Sequence, residues 1–145
     1  MSRIKEIKKH GQKIWLDNIS REFLASGDLQ KMMNDDGIAG VTSNPAIFFK
    51  AISTDSRYQA QLEELKTQDL TPLQRYEKIA VEDIKQACDI MADLYISSNK
   101  QDGYVSLEVS PDLCHDAEGT VLSALELWNA VDKPNLMIKV PATEA

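Results

Sequence analysis

Residues 135–145 read NLMIKVPATEA, and the position of Lys139 inside them decides how the whole chain is to be read. Pro134 and Asn135 mark a turn, while Leu136, Met137, Ile138 and Val140 form a short buried strand. A charged ammonium in or at the end of such a strand is costly unless it is paired, exposed or deprotonated. One reading is purely structural: the lysine stem lies along the sheet edge and its head reaches water. The other is chemical, and choosing between them requires the rest of the chain.

Upstream, helix-like and strand-like segments alternate. Residues 3–10 read as a short helix, and KIWLD (13–17) as a compact apolar strand ending in Asp17. Helical spacing then runs through residues 19–37, interrupted at Ser26-Gly27 and stopped at Gly37. The strand IAGVTSNP (38–45) ends at Pro45, and residues 45–66 are expected to form one long helical stretch. Thr71-Pro72 supplies an N-cap and first helical residue, after which an apolar face from Leu73 to Tyr95 persists for about seven turns. DGYVSLEVSP (102–111) reads as turn, strand, turn, residues 117–131 as a helix, and NLMIKV as the last strand.

Repeated βα units imply parallel strands covered by helices, which leaves an open doubly wound sheet or a (β/α)8 TIM barrel. No Gly-rich phosphate turn follows any strand, so the first has no motif in its favour. Four strands make half of a barrel, and a full one needs roughly 200–250 residues. The expectation is therefore an α/β half-barrel in which residues 1–145 are the N-terminal half of a single barrel domain, with no internal boundary.

Composition narrows the function. An apolar share of 43% and a charged share of 27% suit a packed globular fold, and no repeat or low-complexity tract appears. A formal charge of −7 argues against a nucleic-acid binder, since no basic surplus exists to neutralise phosphates. No apolar run approaches a membrane span, and MSRIKEIKKHGQ (1–12) lacks an apolar signal core. Cys88 and Cys114 have neither metal-ligand spacing nor disulfide density, so a reduced, cytoplasmic protein is expected.

In parallel βα proteins the reactive residues collect at the carboxyl ends of the strands. Here those ends carry Asp17, Asn44, Glu108 and Lys139. Each has a structural alternative: Asp17-Asn18 as a helix cap, Asn44 before Pro45 as a turn initiator, Glu108 as one half of an ion pair with Lys139. Taken together, four separate strands delivering one polar residue each to a common rim favour a site. A lysine in a dry barrel mouth loses its proton more readily and becomes an amine nucleophile. It attacks a ketone or aldehyde to form a Schiff base, an electron sink for breaking a C–C bond, while carboxylates shuttle protons. Such chemistry needs no metal and no organic cofactor.

IWLDNISRE, GIAGVTSNPAIF, DGYVSLEVSP, EGTVLSALELW and NLMIKVPATEA together resemble successive signatures of the transaldolase family, from about residue 11 to the last. The long bacterial type, which also occurs fused to a glucose-6-phosphate isomerase, is the form they resemble. The resemblance implies a (β/α)8 barrel of the pentose phosphate pathway. It moves a dihydroxyacetone unit from sedoheptulose 7-phosphate or fructose 6-phosphate to an aldose phosphate. By motif, Lys139 is the implied Schiff-base lysine and Asp17 the acid/base at the cleaved bond. The resemblance likewise implies that Glu108 positions the water of proton transfer and that Asn44 binds substrate hydroxyls. Family members are more than twice as long, and Arg3, Arg21, Arg57 and Arg75 all lie away from strand ends, so no phosphate anchor is expected here. Sugar phosphates are the expected partners, with self-association through open strand edges. Two alternatives remain: a fructose 6-phosphate aldolase-like activity, and a catalytically silent half-barrel that serves as an assembly module.

Overall fold

The computed structural model describes residues 3–144. Met1 and Ser2 of the charged N-terminal stretch, and Ala145 of the last motif, lie outside the described residues. Strands β1 (Trp15–Asp17), β2 (Gly40–Thr42), β3 (Tyr104–Glu108) and β4 (Leu136–Lys139) form one parallel sheet in the order β1-β2-β3-β4. Each strand pairs with its predecessor, the arrangement of half a (β/α)8 barrel.

Register sorts the side chains into two faces. Leu16, Val41, Val105 and Leu136 are aligned across the sheet, with Leu107 beside Ile138 one pleat further on. Val41, Val105, Leu107 and Leu136 belong to the main buried core, and Leu16 and Ile138 pack against it partly buried. Asp17, Thr42, Ser106 and Met137 form the alternate row, continued by Glu108 beside Lys139, and point away from the core.

The helices that cover the sheet start and stop where local chemistry dictates. After α1 (Arg3–Ile7) comes a 3-10 turn ended by Gly11. The expected helix over 19–37 is split into α2 (Arg21–Ser26) and α3 (Asp28–Asp36) by Gly27, whose φ of 81° is left-handed. Ser20 caps α2 by accepting the Phe23 N–H, so Ile19 precedes the helix and sits in the core.

The segment 45–66 departs from expectation. It forms α4 (Pro45–Thr54), a 3-10 turn at Ser56–Tyr58 and α5 (Gln59–Lys66). The break has a cause at Asp55, whose backbone is extended (φ −98°, ψ 116°) and whose carboxylate accepts the N–H groups of Arg57 at 3.0 Å and Glu22 at 2.8 Å. These contacts join the turn to α2 and drive Tyr58 and Leu65 into a second small core with Ile79.

Helix α6 (Pro72–Ser97) is the main cover. Thr71 accepts the Gln74 N–H while the Gln74 side chain accepts the Thr71 N–H, a reciprocal cap with Pro72 at the first position. Ile84, Ala87, Cys88 and Met91 then pack on the sheet, and burial pushes the Cys88 thiol up to about 12. The chain turns back through Gly103 (φ 86°), where a Cβ would come within 2.4 Å of the Tyr95 backbone nitrogen. α7 (Ala117–Val131) covers β3 and β4, its start capped by Asp116.

Three polar clusters hold these layers in place. Asn135 is buried, and its amide donates to the carbonyls of Cys88 and Gly103, both at 2.9 Å. Fully buried Asp83 accepts from Arg21 Nε at 2.8 Å and the Tyr58 hydroxyl at 2.6 Å, with the guanidinium 4.5 Å above the Tyr58 ring. Asp102 pairs with Lys8 at 3.2 Å and Lys13 at 2.7 Å, tying the N-terminal segment to the turn before β3.

Burial pushes the Asp102 pKa up, but the hydrogen bonds and charges of Lys13 and Lys8 outweigh it and hold the group below its ordinary value of 3.8. A carboxylate with a lowered folded-state pKa stabilises the fold above its unfolded value and loses that contribution as pH falls through the folded one. Asp102→Asn is therefore expected to cost about 1 kcal/mol at neutral pH, the lysines being partly exposed. The cost vanishes in strong acid, as urea denaturation of both proteins across pH will show.

Asn44 caps α4 through its side-chain oxygen, which accepts the Ile47 N–H at 3.0 Å. Asn44→Ala is expected to lose about 1 kcal/mol of stability and Asn44→Ser only a few tenths; equal losses in thermal melts would mean the cap contributes nothing.

Candidate active site

Strand β4 delivers Lys139 beside Glu108 of β3 as direct partners in register. Lys139 Nζ stands 3.8 Å from Glu108 Oε1, donates to the Ser43 carbonyl at 3.0 Å and reaches Thr42 Oγ1 at 3.4 Å. The ammonium thus has two hydrogen-bond acceptors and one carboxylate at ion-pair distance. Thr42 is held in turn by the Ser106 hydroxyl, which donates to Oγ1 at 3.0 Å, and Ser43 donates to the Ser106 carbonyl at 2.8 Å.

The structural alternative for Lys139 and Glu108, an ion pair, is present. Its side chains are 39% and 33% exposed, so at 3.8 Å the pair is worth at most about 1 kcal/mol. A contact so weak holds the amine in place without committing it. The site is open to water on this side.

Asp17 ends β1 on the same face, exposed, with no hydrogen bond or ion pair among the described residues. Its capping alternative is taken by Ser20. Three strand spacings, about 14 Å along the sheet, separate β1 from β4, so Asp17 and Lys139 meet only through a molecule lying between them. Asn44 fills its structural role as a cap, yet its side-chain NH2 makes no hydrogen bond among the described residues.

Thr42, Ser43 and Ser106 were not singled out by sequence, although the strand alternation that selects Glu108 also selects Ser106, and Thr42 is its neighbour across the sheet. Tyr76 of α6 was missed as well. Burial, and then the charges of Glu108 and Glu77, push its hydroxyl up to about 12, and that hydroxyl is buried without a hydrogen-bond partner. Its ring meets Phe48 edge-on at 5.8 Å. No group of three or more His, Cys, Asp or Glu among the described residues is arranged to hold a metal ion. No described helix is long and apolar enough to cross a membrane.

Arg21 is engaged by Glu82 and Asp83, and Arg57 by Glu22 and Asp55, so neither guanidinium is free for the rim.

Comparison with known proteins identifies the family. The family model described as Transaldolase/Fructose-6-phosphate aldolase matches residues 14–145. The chain is 46% identical over 143 residues to a transaldolase of Thiobacillus denitrificans, covering 99% of this chain and 40% of the relative. It is 50% identical over 145 residues to a transaldolase of Neisseria meningitidis serogroup C, covering all of this chain and 41% of the relative. A protein named Transaldolase 2 from a Nostoc species is 43% identical over 145 residues, of which the chain spans 38%. The chain spans about two fifths of the length of these curated relatives. With a matching model over most of its residues, a four-stranded parallel sheet in sequential order and a lysine beside a glutamate at the strand ends, this chain belongs to the transaldolase/fructose-6-phosphate aldolase family.

Proposed function

We propose that residues 1–145 carry the Schiff-base machinery of a transaldolase acting on sugar phosphates in the pentose phosphate pathway. They would form the N-terminal part of one barrel domain in a reduced, cytoplasmic compartment. The observation that carries this reading is the Lys139–Glu108 pair, neighbours in register with Nζ 3.8 Å from Oε1.

In this mechanism the neutral amine of Lys139 attacks the carbonyl carbon of a ketose phosphate such as fructose 6-phosphate or sedoheptulose 7-phosphate. The carbinolamine loses water to give an iminium, with Glu108 relaying protons through a water molecule. Asp17 takes the proton of the hydroxyl two carbons away, and the C–C bond between them breaks. Its electron pair moves into the iminium, leaving an enamine of dihydroxyacetone on the lysine and releasing an aldose phosphate. Addition of a second aldose phosphate reverses these steps. Asn44 has its NH2 available for substrate hydroxyls while its oxygen caps α4. Dependence on an acceptor aldose separates this reading from simple aldolase release of the ketone.

The test is a chimera in which these 145 residues replace the corresponding 41% of the Neisseria meningitidis relative. Borohydride reduction with fructose 6-phosphate is expected to attach the sugar at Lys139, as read by peptide mass mapping. Lys139→Arg abolishes the adduct, because a guanidinium stays protonated. An adduct on a different lysine overturns the assignment.

The 145-residue chain on its own is expected to show no transaldolase turnover. Positioning of the substrate is worth about 7–11 kcal/mol in favourable cases, and Arg21 and Arg57, each held by two carboxylates, are not free to hold a phosphate. With β1 and β4 each paired on one side only, we further propose that copies associate through these edges. A coupled assay with fructose 6-phosphate and erythrose 4-phosphate, beside light scattering, decides both points. Turnover by a monodisperse monomer would refute them.

A further inference from the structure

A cavity of about 540 Å3 lies outside the row that carries Lys139, between α4, the start of α6 and the connection from β3 to α7. Phe49, Ile52, Leu62, Leu73, Ile79 and Val109 line it, and among its lining residues Arg75 carries the only charge. Phe49 is 75% exposed and Leu73 44%, an apolar surface left open to solvent.

Arg75 differs from the other arginines of the core-facing helices. Arg21 and Arg57 each hold two carboxylates, whereas Arg75 makes no ion pair among the described residues in a chain with 23 acidic side chains. It is partly buried, its Nε is enclosed without a hydrogen-bond partner, and its one polar contact is Nη2 to the Gln68 carbonyl at 3.5 Å, the limit of a hydrogen bond. The hydroxyl of Tyr76, which also lines the cavity, is likewise buried and unpartnered.

Apolar walls of this extent disfavour a hydrated sugar, and an unpaired guanidinium favours a planar anion that it can grip with two parallel hydrogen bonds. We propose that this cavity binds a small amphipathic carboxylate, its apolar body among Phe49, Ile52, Leu62 and Leu73 and its carboxylate on the Arg75 guanidinium. An aryl- or alkyl-substituted acid of about a dozen non-hydrogen atoms suits a space of this size. Neither Lys139 nor Glu108 lines the cavity.

The test is a titration of the 15N-labelled chain with 4-phenylbutyrate, and with 4-phenylbutanol as the uncharged control. Saturable amide shifts are expected at residues 46–53, 73–79 and 109–110, with the acid bound roughly 10-fold more tightly than the alcohol. Arg75→Met, which keeps an apolar stem, is expected to bring the acid down to the affinity of the alcohol and leave the alcohol unchanged. Leu73→Glu, at a partly exposed position on the cavity wall, sets a negative charge there and is expected to weaken the acid much more than the alcohol; it decides the question if Arg75→Met does not fold. Shifts centred elsewhere, equal affinity for acid and alcohol, indifference to both substitutions, or no saturable binding would each overturn the proposal.

Discussion

Side-chain alternation along four short parallel strands is the constraint from which the rest of this structure follows. Successive residues point to opposite faces, so Leu107 and Ile138 enter the core while Glu108 and Lys139 leave it. A slip of one residue in the β3–β4 register would bury the ammonium under α7 and expose two aliphatic side chains. The apolar row, locked under α6 and α7, therefore sets the position of the polar row. Asn135 fixes the same register from the other end, since its backbone carbonyl accepts the Val105 N–H at 3.0 Å while its side chain grips α6 and the turn at Gly103.

How much of this could be read in advance follows from the range of the interactions. The four strands and the residues at their ends were legible because alternation, Pro and Gly act locally. Gly27 and Gly37 interrupt and end the helical spacing where expected, both with left-handed φ. The break at Asp55 was not legible, because the groups that reward it include the N–H of Glu22, 33 residues earlier. Periodicity across residues 45–66 is satisfied equally by one helix or by two. Asp83 looks like one more polar residue on α6 until Arg21 and Tyr58 arrive from other elements to meet it.

The site shows the same division. Asp17, Asn44, Glu108 and Lys139 were legible as strand-end residues, but not what surrounds them. Thr42 and the Ser43 carbonyl complete the ammonium's shell because β2 lies one strand beyond β3, a fact of topology and not of local pattern. Asn44 shows that structural and chemical roles need not compete. The cap uses the amide oxygen, leaving the nitrogen as a donor. Fixing the oxygen also orients the nitrogen, so the helix cap pre-sets the direction of that donor.

The sequential strand order has a kinetic meaning. Because each strand joins the edge formed by the one before it, no strand must insert between two others. A chain emerging from the ribosome N-terminus first can add β2 to β1, then β3, while later residues are still being made. β4 comes last of the four, so the Lys139 amine arrives only when the threonine, serines and glutamate that receive it already stand in line. Synthesis in that order keeps the ammonium in water until its acceptors exist, and spares the growing sheet a stage in which a lone charge lies against unfinished core.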